Sequence, residues 1–313
     1  MVRNKTAKKI YILGYVSPDE LELIYLLKGD TVVTVLDINH AQSIAHNWQK
    51  ICNGNKTLSV TLALDLRFGR EGTLINKLAE TISIIKNLPA LKLESMYAHY
   101  SSADDNLSEE SLIQEQLFLQ ASVQIKENLP TYLHNTAGVI RNHYLIRDHG
   151  LFSNINIKAV RIGLGLYGIS PMKTGQFDDS LTPVLSWIST IAQVKELPSK
   201  YPIGYNCTYW TRRPTTVALV PQGYSDGLDR RMSNQGCVLI SGYKCPILGR
   251  VSMNMITVDI SEIPDVKSGD PVVLIGTQGK ETITASAIAK TINSISYEVL
   301  AKISPTLPRL VTN

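Results

Sequence analysis

Thr31-Val32-Val33-Thr34-Val35-Leu36-Asp37 leads directly into a segment whose apolar residues Ala41, Ile44 and Trp48 recur at helical spacing. The first half is a β-branched run that suits a buried strand, and the second is an amphipathic helix. A strand that stops at a polar residue and hands over to a helix is one β-α unit, the repeat from which parallel sheets are built. Upstream, Ile10-Tyr11-Ile12-Leu13 reads as a buried strand ending at Gly14. Ser17-Pro18-Asp19-Glu20 then opens a helix: Ser17 caps it, Pro18 suits the first turn and Glu20 completes a capping box. Leu21, Leu23, Ile24 and Leu27 form its apolar face.

Downstream the pattern repeats. Val60 to Leu64 is a strand ending at Asp65, and Leu74, Leu78, Ile82 and Ile85 mark the next helix. Ser95 to Ala98 ends at His99, followed by a long helix from Glu109 to Glu127. Thr131 to Leu133 leads to His134-Asn135, and Ile157 to Val160 leads to Arg161. The expected fold is a TIM-like α/β barrel, incomplete, with about six of eight β-α units. Barrels of this type carry their chemistry at the C-terminal strand ends, which singles out His99 and Arg161.

After Leu181 strand-like runs crowd together without long helices: Trp187 to Val194, Thr216 to Val220, Cys237 to Ile240, Pro246 to Val251, Ile256 to Ile260 and Val272 to Ile275. Turn residues such as Ser241-Gly242 and Thr277-Gln278-Gly279 separate them, and one short helix follows from Ala285 to Ile292, capped by Thr284. The expected organisation is a partial barrel over 1–180 and a mainly β C-terminal domain over 181–313.

With 313 residues, 44% hydrophobic and 19% charged, the chain is long enough for two packed cores and is neither fibrous nor disordered. A net charge of +4 is mild, and Arg3, Lys5, Lys8 and Lys9 read as a solvated end rather than a nucleic-acid arm. The four cysteines show no metal-ligand spacing, so no metal is expected and a reducing compartment is. No apolar run reaches the ~18 residues of a membrane helix and no signal peptide opens the chain, which predicts a cytoplasmic protein.

Gly163-Leu164-Gly165-Leu166-Tyr167-Gly168 fits the GxGxxG dinucleotide pattern, but Ile169-Ser170-Pro171 follows where a helix is required. The glycines instead suit a strand end whose N–H groups cradle a phosphate. Gly223-Tyr224-Ser225-Asp226-Gly227, Arg250-Val251-Ser252-Met253-Asn254 and Ser296-Tyr297-Glu298 are denser in polar groups than packing requires. The carboxylate pairs Asp104-Asp105 and Asp178-Asp179 read as solvated surface.

Together these segments resemble the alanine racemase family, pyridoxal-phosphate enzymes with a barrel followed by a β domain. The resembling stretches are Leu64-Asp65 with Gly69-Arg70, Ala98-His99-Tyr100 with Ala103-Asp104, Asn135-Thr136-Ala137, Val160-Arg161-Ile162-Gly163 and Leu166-Tyr167-Gly168. They continue with Gly223 to Gly227, Gly249 to Met253, Tyr297-Glu298 and Pro308-Arg309. The resemblance implies an isomerase that interconverts L- and D-alanine through a substrate carbanion, for cell-wall (peptidoglycan) D-alanine supply, as a homodimer. It implies that Arg161 faces the pyridine nitrogen of pyridoxal 5'-phosphate, with His99 beside it. Thr136, Gly163 and Tyr297 hold the phosphate, and Arg70 holds the ring oxygen or the substrate carboxylate. Met253 lines the substrate pocket, and Tyr224 is the acid/base, reaching in from the partner subunit. A tyrosine pKa of about 10 needs lowering for that task, which positive charge on His99 and Arg161 would supply.

The family's Schiff-base lysine lies in a Lys-x-x-x-Tyr-Gly stretch, and these 313 residues contain none. The chain begins near the family's third strand, so the resemblance implies an N-terminally truncated member whose own activity is in doubt. Ala63 stands where many members have lysine, Tyr132 where many have histidine, and Asn254 where aspartate is common. The alternatives are a non-catalytic cofactor- or amino-acid-binding relative and a serine racemase.

Overall fold

The computed structural model of the chain describes residues 9–26, 30–125, 129–149, 159–173 and 180–312. They fall into two compact units, Met1–Thr182 and Pro183–Asn313.

The first unit runs β1 (Ile10–Ile12), α1 (Leu21–Leu26), β2 (Thr31–Val35), α2 (Ile38–Ile51), β3 (Leu58–Asp65), β4 (Thr73–Leu74), α3 (Leu78–Lys86), β5 (Leu91–Tyr97), α4 (Glu109–Gln124), β6 (Thr131–Tyr132) and α5 (Thr136–His149). Five strands pair in parallel in the order β1-β2-β3-β5-β6, with short β4 added beside the end of β3. The sheet is a half-barrel. It curls so far that Tyr11 of β1 and Tyr132 of β6, on opposite edges, bring their hydroxyls to 3.4 Å. Its core is the β-branched and leucine rows of β2 and β3 packed on Ile44, Trp48 and Phe118 of the helices. Caps fall where the polar strand ends put them: Asp37 accepts from the His40 N–H at 2.7 Å, and the Glu20 carboxylate accepts from the Ser17 N–H at 2.8 Å.

Several expectations are corrected. β1 is an edge strand, not a buried one, and Leu13 beyond it is 49% exposed. Leu23 points outward at 64% exposure while Leu21 and Ile24 are buried; Leu27 lies outside the described residues. Leu74 belongs to β4, not to a helix, because residues 73–74 pair with Leu64 and Asp65 before the chain turns. The long helix ends at Gln124. Of the expected strand from Ile157 to Val160, residues 157 and 158 lie outside the described residues, and Arg161 makes a single parallel bridge with Asn135. Asp104 and Asp105 pair with Lys173 at 3.5 and 4.0 Å; Asp178-Asp179 also lies outside the described residues.

The second unit runs β7 (Trp187–Thr190), β8 (Gln193–Leu197), β9 (Pro202–Ile203), β10 (Tyr209–Trp210), β11 (Thr215–Val220), β12 (Cys237–Ile240), β13 (Tyr243–Leu248), β14 (Ile256–Asp259), β15 (Pro271–Gln278), β16 (Glu281–Ile283), α6 (Ala285–Thr291) and α7 (Ser296–Lys302). Eight strands form one antiparallel sheet in the order β16-β15-β12-β13-β14-β11-β8, with β7 also on β15. The apolar run from Trp187 to Val194 is two strands rather than one, broken where the Ile191 N–H turns to the Asp270 carbonyl and that of Ala192 to Leu219. The run Pro246 to Val251 is likewise shifted: β13 begins at Tyr243, directly after the two left-handed turn residues Ser241 and Gly242, and stops at Leu248. Thr284 caps α6 through the Ala287 N–H at 3.0 Å. The second helix, α7, was not expected from the sequence. Among the described residues no helix is long and apolar enough to cross a membrane.

Leu62 is fully buried at the centre of β3, so Leu62→Ala is expected to lower unfolding stability by about 2–5 kcal/mol. Leu23→Ala is expected to change it by less than about 0.5 kcal/mol, since its side chain faces solvent. Urea unfolding followed by circular dichroism separates the two; equal costs would contradict the placement of α1.

Candidate functional site

The C-terminal strand ends of the half-barrel converge on Arg161. Its backbone N–H donates to the His134 carbonyl at 2.9 Å, which seats it beside β6. Its guanidinium then reaches back across two strand ends, donating to the carbonyls of Ala98, Tyr132 (3.2 Å) and Leu133 (3.4 Å). The same Nη2 lies 3.3 Å from His99 Nδ1, which accepts from it, leaving the imidazole proton on Nε2. The Tyr97 ring lies beneath the guanidinium at 4.9 Å. Burial pulls the Arg161 pKa below the usual guanidinium range, but a guanidinium in this setting keeps its proton at neutral pH.

Burial, and then the charges of Arg161 and Arg70, push His99 down to about 4. His134, buried and close to Arg161, is also pushed down to about 4, by burial first. His99 is therefore neutral at physiological pH. This corrects the expectation that it supplies positive charge to a catalytic tyrosine; among the pair, only Arg161 carries charge.

Thr136 opens α5, where the Asn135 side chain accepts from the Gly138 N–H at 2.8 Å. The Thr136 hydroxyl faces the Gly163 and Gly165 N–H groups at 3.2 and 3.4 Å. These are long contacts; a Cβ built on Gly163 meets nothing within 4 Å, whereas one on Gly165 would be 2.9 Å from the Thr136 methyl. Residues 164–167 form a single 3-10 turn ended by left-handed Gly168, not an α-helix. Arg70 pairs with the Glu71 carboxylate and lies 4.5 Å over the Phe68 ring, whose edge meets His99. Ala63 is buried in β3, and the Tyr132 phenol is pushed up to about 12, chiefly by burial.

A buried polar layer sets this arrangement. Gln114 of α4 is fully buried; its amide donates to the carbonyls of Leu66 (2.8 Å) and His99 (3.3 Å) and accepts from the Ser101 N–H. Next to it, Glu115 accepts from the Tyr100 hydroxyl at 2.8 Å, and burial raises its pKa. Of these two adjacent α4 side chains, Gln114 holds the backbone at and just after His99, and Glu115 holds the Tyr100 side chain.

In the second unit, two of the polar segments interlock. Tyr224 N–H donates to the Ser252 carbonyl and Ser225 N–H to that of Met253, at 3.0 and 2.9 Å. Gly223 lies so close that a Cβ there would be 2.3 Å from both carbonyls, so only glycine permits the contact. Asn254 donates to the Ser225 hydroxyl at 2.7 Å. Tyr224 is left 47% exposed, and Met253 and Tyr297 are exposed too. Asp229, held far below the usual carboxylate range by Arg231 and then by Lys302, borders Tyr224. Arg309 is spent on the carbonyls of Ser304 and Leu307, both at 3.1 Å.

Sequence reading missed Tyr205. Asn206 and Cys207 after it are both left-handed (φ 61° and 48°), a strained backbone for residues with side chains, and Tyr205 itself is 68% exposed. Gly204, at φ 74°, is so close to Arg250 that a Cβ would be 2.9 Å from its backbone nitrogen. Gly204-Tyr205 thus packs on the segment that anchors Gly223-Tyr224. Its signal was the same glycine-before-tyrosine pair.

Neutral burial of His99 and His134 makes stability depend on pH. The unfolded imidazoles bind protons below about pH 6.5, while the folded ones resist down to about 4. Their contribution is intact above about 6.5 and lost as pH falls through about 4. Imidazole NMR titration should show both rings neutral at pH 6, where an unperturbed histidine is largely charged; a midpoint above 6 for His99 would contradict the site's geometry.

The matches to known proteins agree with this layout. The family model "Alanine racemase, N-terminal domain" matches residues 1–171 and "Alanine racemase, C-terminal domain" residues 184–311. The alanine racemase of Methylacidiphilum infernorum is 34% identical over 294 residues, covering 94% of this chain and 71% of the relative. The crystal structure of the Bacillus anthracis alanine racemase with bound L-Ala-P superposes at a TM-score of 0.82 with 28% identity, covering 95% of this chain and 74% of that one. The Bartonella henselae alanine racemase with covalently bound pyridoxal phosphate shares the fold at 0.78 with 24% identity, covering 96% and 78%. With both domain models matched in order along almost its whole length, the chain belongs to the alanine racemase family, whose members are isomerases.

Proposed function

We propose that the protein's site serves interconversion of L- and D-alanine with pyridoxal 5'-phosphate. The observation that carries this reading is the Arg161 guanidinium, held by three strand-end carbonyls beside the Thr136 hydroxyl and the Gly163 N–H. The donor set fits the cofactor. Thr136, Gly163 and Tyr297 would hold its phosphate, and Arg161, with neutral His99 beside it, would face its ring nitrogen. When bound, pyridoxal phosphate draws electrons from the substrate α-carbon and acidifies its proton.

Each residue then has a task its chemistry allows. Arg161 does not yield a proton, so beside the cofactor's ring nitrogen it would offer that nitrogen a hydrogen bond without protonating it. Arg70 balances a carboxylate or the ring oxygen, and Met253 limits the pocket. Tyr224 Oη is the proton carrier on one face of the α-carbon, working on the partner's barrel in a homodimer. Tyr205 is the second reading for that role, favoured by the strained backbone that presents it.

The opposite face needs a lysine. Lys9 is paired with Glu94 at the N-terminal end of the sheet, away from the strand ends that carry the site. The 313-residue polypeptide alone is therefore expected to exchange the α-proton of alanine in heavy water at less than about 1% of the rate of a form that also carries a Lys-x-x-x-Tyr-Gly stretch. NMR of alanine at its α-position measures this. Comparable rates, with borohydride fixing the cofactor to one lysine of the short form, would refute the reading. In the active form, Tyr224→Phe and Tyr205→Phe assign the proton carrier: the true one is expected to lose at least about 100-fold in kcat.

A further inference from the structure

Three polar side chains of the first unit, Tyr100, Glu115 and Arg141, are buried together, each 3% exposed or less, and the proposed function gives them no task. The Tyr100 hydroxyl donates to Glu115 Oε1 at 2.8 Å, which ties the loop after β5 to α4. The Tyr100 ring packs on the first turn of α5. A Cβ built on Gly138 would be 2.6 Å from Tyr100 Cε2 and 3.2 Å from His134 Cδ2, so glycine lets the helix sit directly on both rings. One turn further on, Arg141 donates to the Ser108 carbonyl at 3.4 Å, and the Ser108 hydroxyl caps α4 by accepting from the Ser111 N–H. The Arg141 charge also bears on Glu115: burial raises that carboxyl's pKa, and the Tyr100 hydroxyl and then Arg141 oppose the rise. Glu115 Oε2 and Arg141 Nε are nonetheless buried with no hydrogen-bond partner among the described residues. Polar atoms buried in that state are costly, so stability alone does not account for the trio.

What the trio holds is the start of α5. Thr136 is the first residue of that helix, two before Gly138. Its hydroxyl accepts from the Gly163 and Gly165 N–H groups at 3.2 and 3.4 Å, and the Asn135 side chain just ahead of it accepts from the Gly138 N–H at 2.8 Å. A shift of this turn therefore carries Thr136 away from the two glycines. We propose that Tyr100, Glu115 and Arg141 are positioning residues that hold the first turn of α5 where the Thr136 hydroxyl meets the Gly163 N–H, the pair that would seat the cofactor's phosphate. The proposal rests on the cofactor reading above. The Arg161 guanidinium keeps its own hold on the Ala98 and Tyr132 carbonyls, outside α5. Loss of the trio thus bears on the phosphate end of the site rather than on its ring end.

The test compares pyridoxine 5'-phosphate with pyridoxine by equilibrium dialysis against the full chain; neither carries the aldehyde that forms imines with surface lysines. The wild-type chain is expected to bind the phosphate ester at least about tenfold more tightly. Tyr100→Phe keeps the ring against Gly138 and removes the hydroxyl. It is expected to cut that preference at least about fivefold while pyridoxine affinity stays within about twofold. Arg141→Gln is expected to do the same, and Glu115→Gln to keep the preference, since its amide oxygen still accepts from the Tyr100 hydroxyl. In the ligand-free chain the amide NMR signals of Gly163 and Gly165 are expected to move in Tyr100→Phe and Arg141→Gln and to hold in Glu115→Gln. Circular dichroism checks folding, and Tyr100→Phe decides alone if Arg141→Gln does not fold. A preference that survives the substitutions, an equal loss for both ligands, or unmoved glycine amides overturns the proposal. Moved amides in a chain whose wild type shows no preference for the phosphate ester support the positioning and count against the cofactor reading alone.

Discussion

The guanidinium of Arg161 is the interaction on which the half-barrel's working end depends. Strand ends leave carbonyls with no partner strand residue ahead of them, and a buried carbonyl without a donor costs about 1–3 kcal/mol. Arg161 satisfies those of Ala98 and Leu133 with one planar group and adds a second donor to the Tyr132 carbonyl, which also accepts from the Ala98 N–H. Lysine offers a point charge on a flexible stem and cannot fork across three acceptors. The same charge, with burial, keeps His99 neutral. A single residue thus reinforces the β5–β6 pairing at its C-terminal end and adds to the burial that keeps its neighbour neutral.

The second unit solves a similar problem with backbone alone. Gly223-Tyr224-Ser225 runs so close to Ser252-Met253 that two N–H groups and one hydroxyl bond to their carbonyls. Gly204 approaches Arg250 in the same way. Two exposed tyrosines are therefore carried on short turns, the Tyr205 one strained at Asn206 and Cys207, that share the Arg250 to Met253 segment as support. Loop residues held this firmly suit a role that needs an exposed phenol in a fixed place.

The β-α repeat was legible because β-branched runs and helical spacing report burial directly: Thr31 to Val35 and Ala41, Ile44, Trp48 lie where they were expected. Leu23 and Leu74 misled for one reason. Hydrophobicity marks what a residue prefers, and an edge strand with its helix leaves some apolar side chains facing out. His99 and Arg161 drew attention by their place at strand ends, whereas Arg70, Thr136 and Gly163 were proposed from the family resemblance. Tyr205 was not found, since a left-handed Asn206-Cys207 pair has no signature beyond the preceding glycine. Nor was α7, whose seven residues are too few for a periodic pattern.

The inner face of α4 shows the limit most clearly. Its buried positions are Ser111, Gln114, Glu115, Phe118 and Ala121, so three of the five are polar. Apolar periodicity cannot reveal such a helix's inner side, because the helix is held by hydrogen bonds as much as by packing. That cost is accepted for position. Gln114 uses both ends of its amide on the backbone at Leu66, His99 and Ser101, and Glu115 takes the Tyr100 hydroxyl. An apolar α4 would lack the bonds that Gln114 makes to the His99 carbonyl and the Ser101 N–H, leaving this stretch held on its other side by the Ala98 bonds to Arg161 and Tyr132. Polar burial here trades stability for the placement of one imidazole, which hydrophobic pattern does not encode.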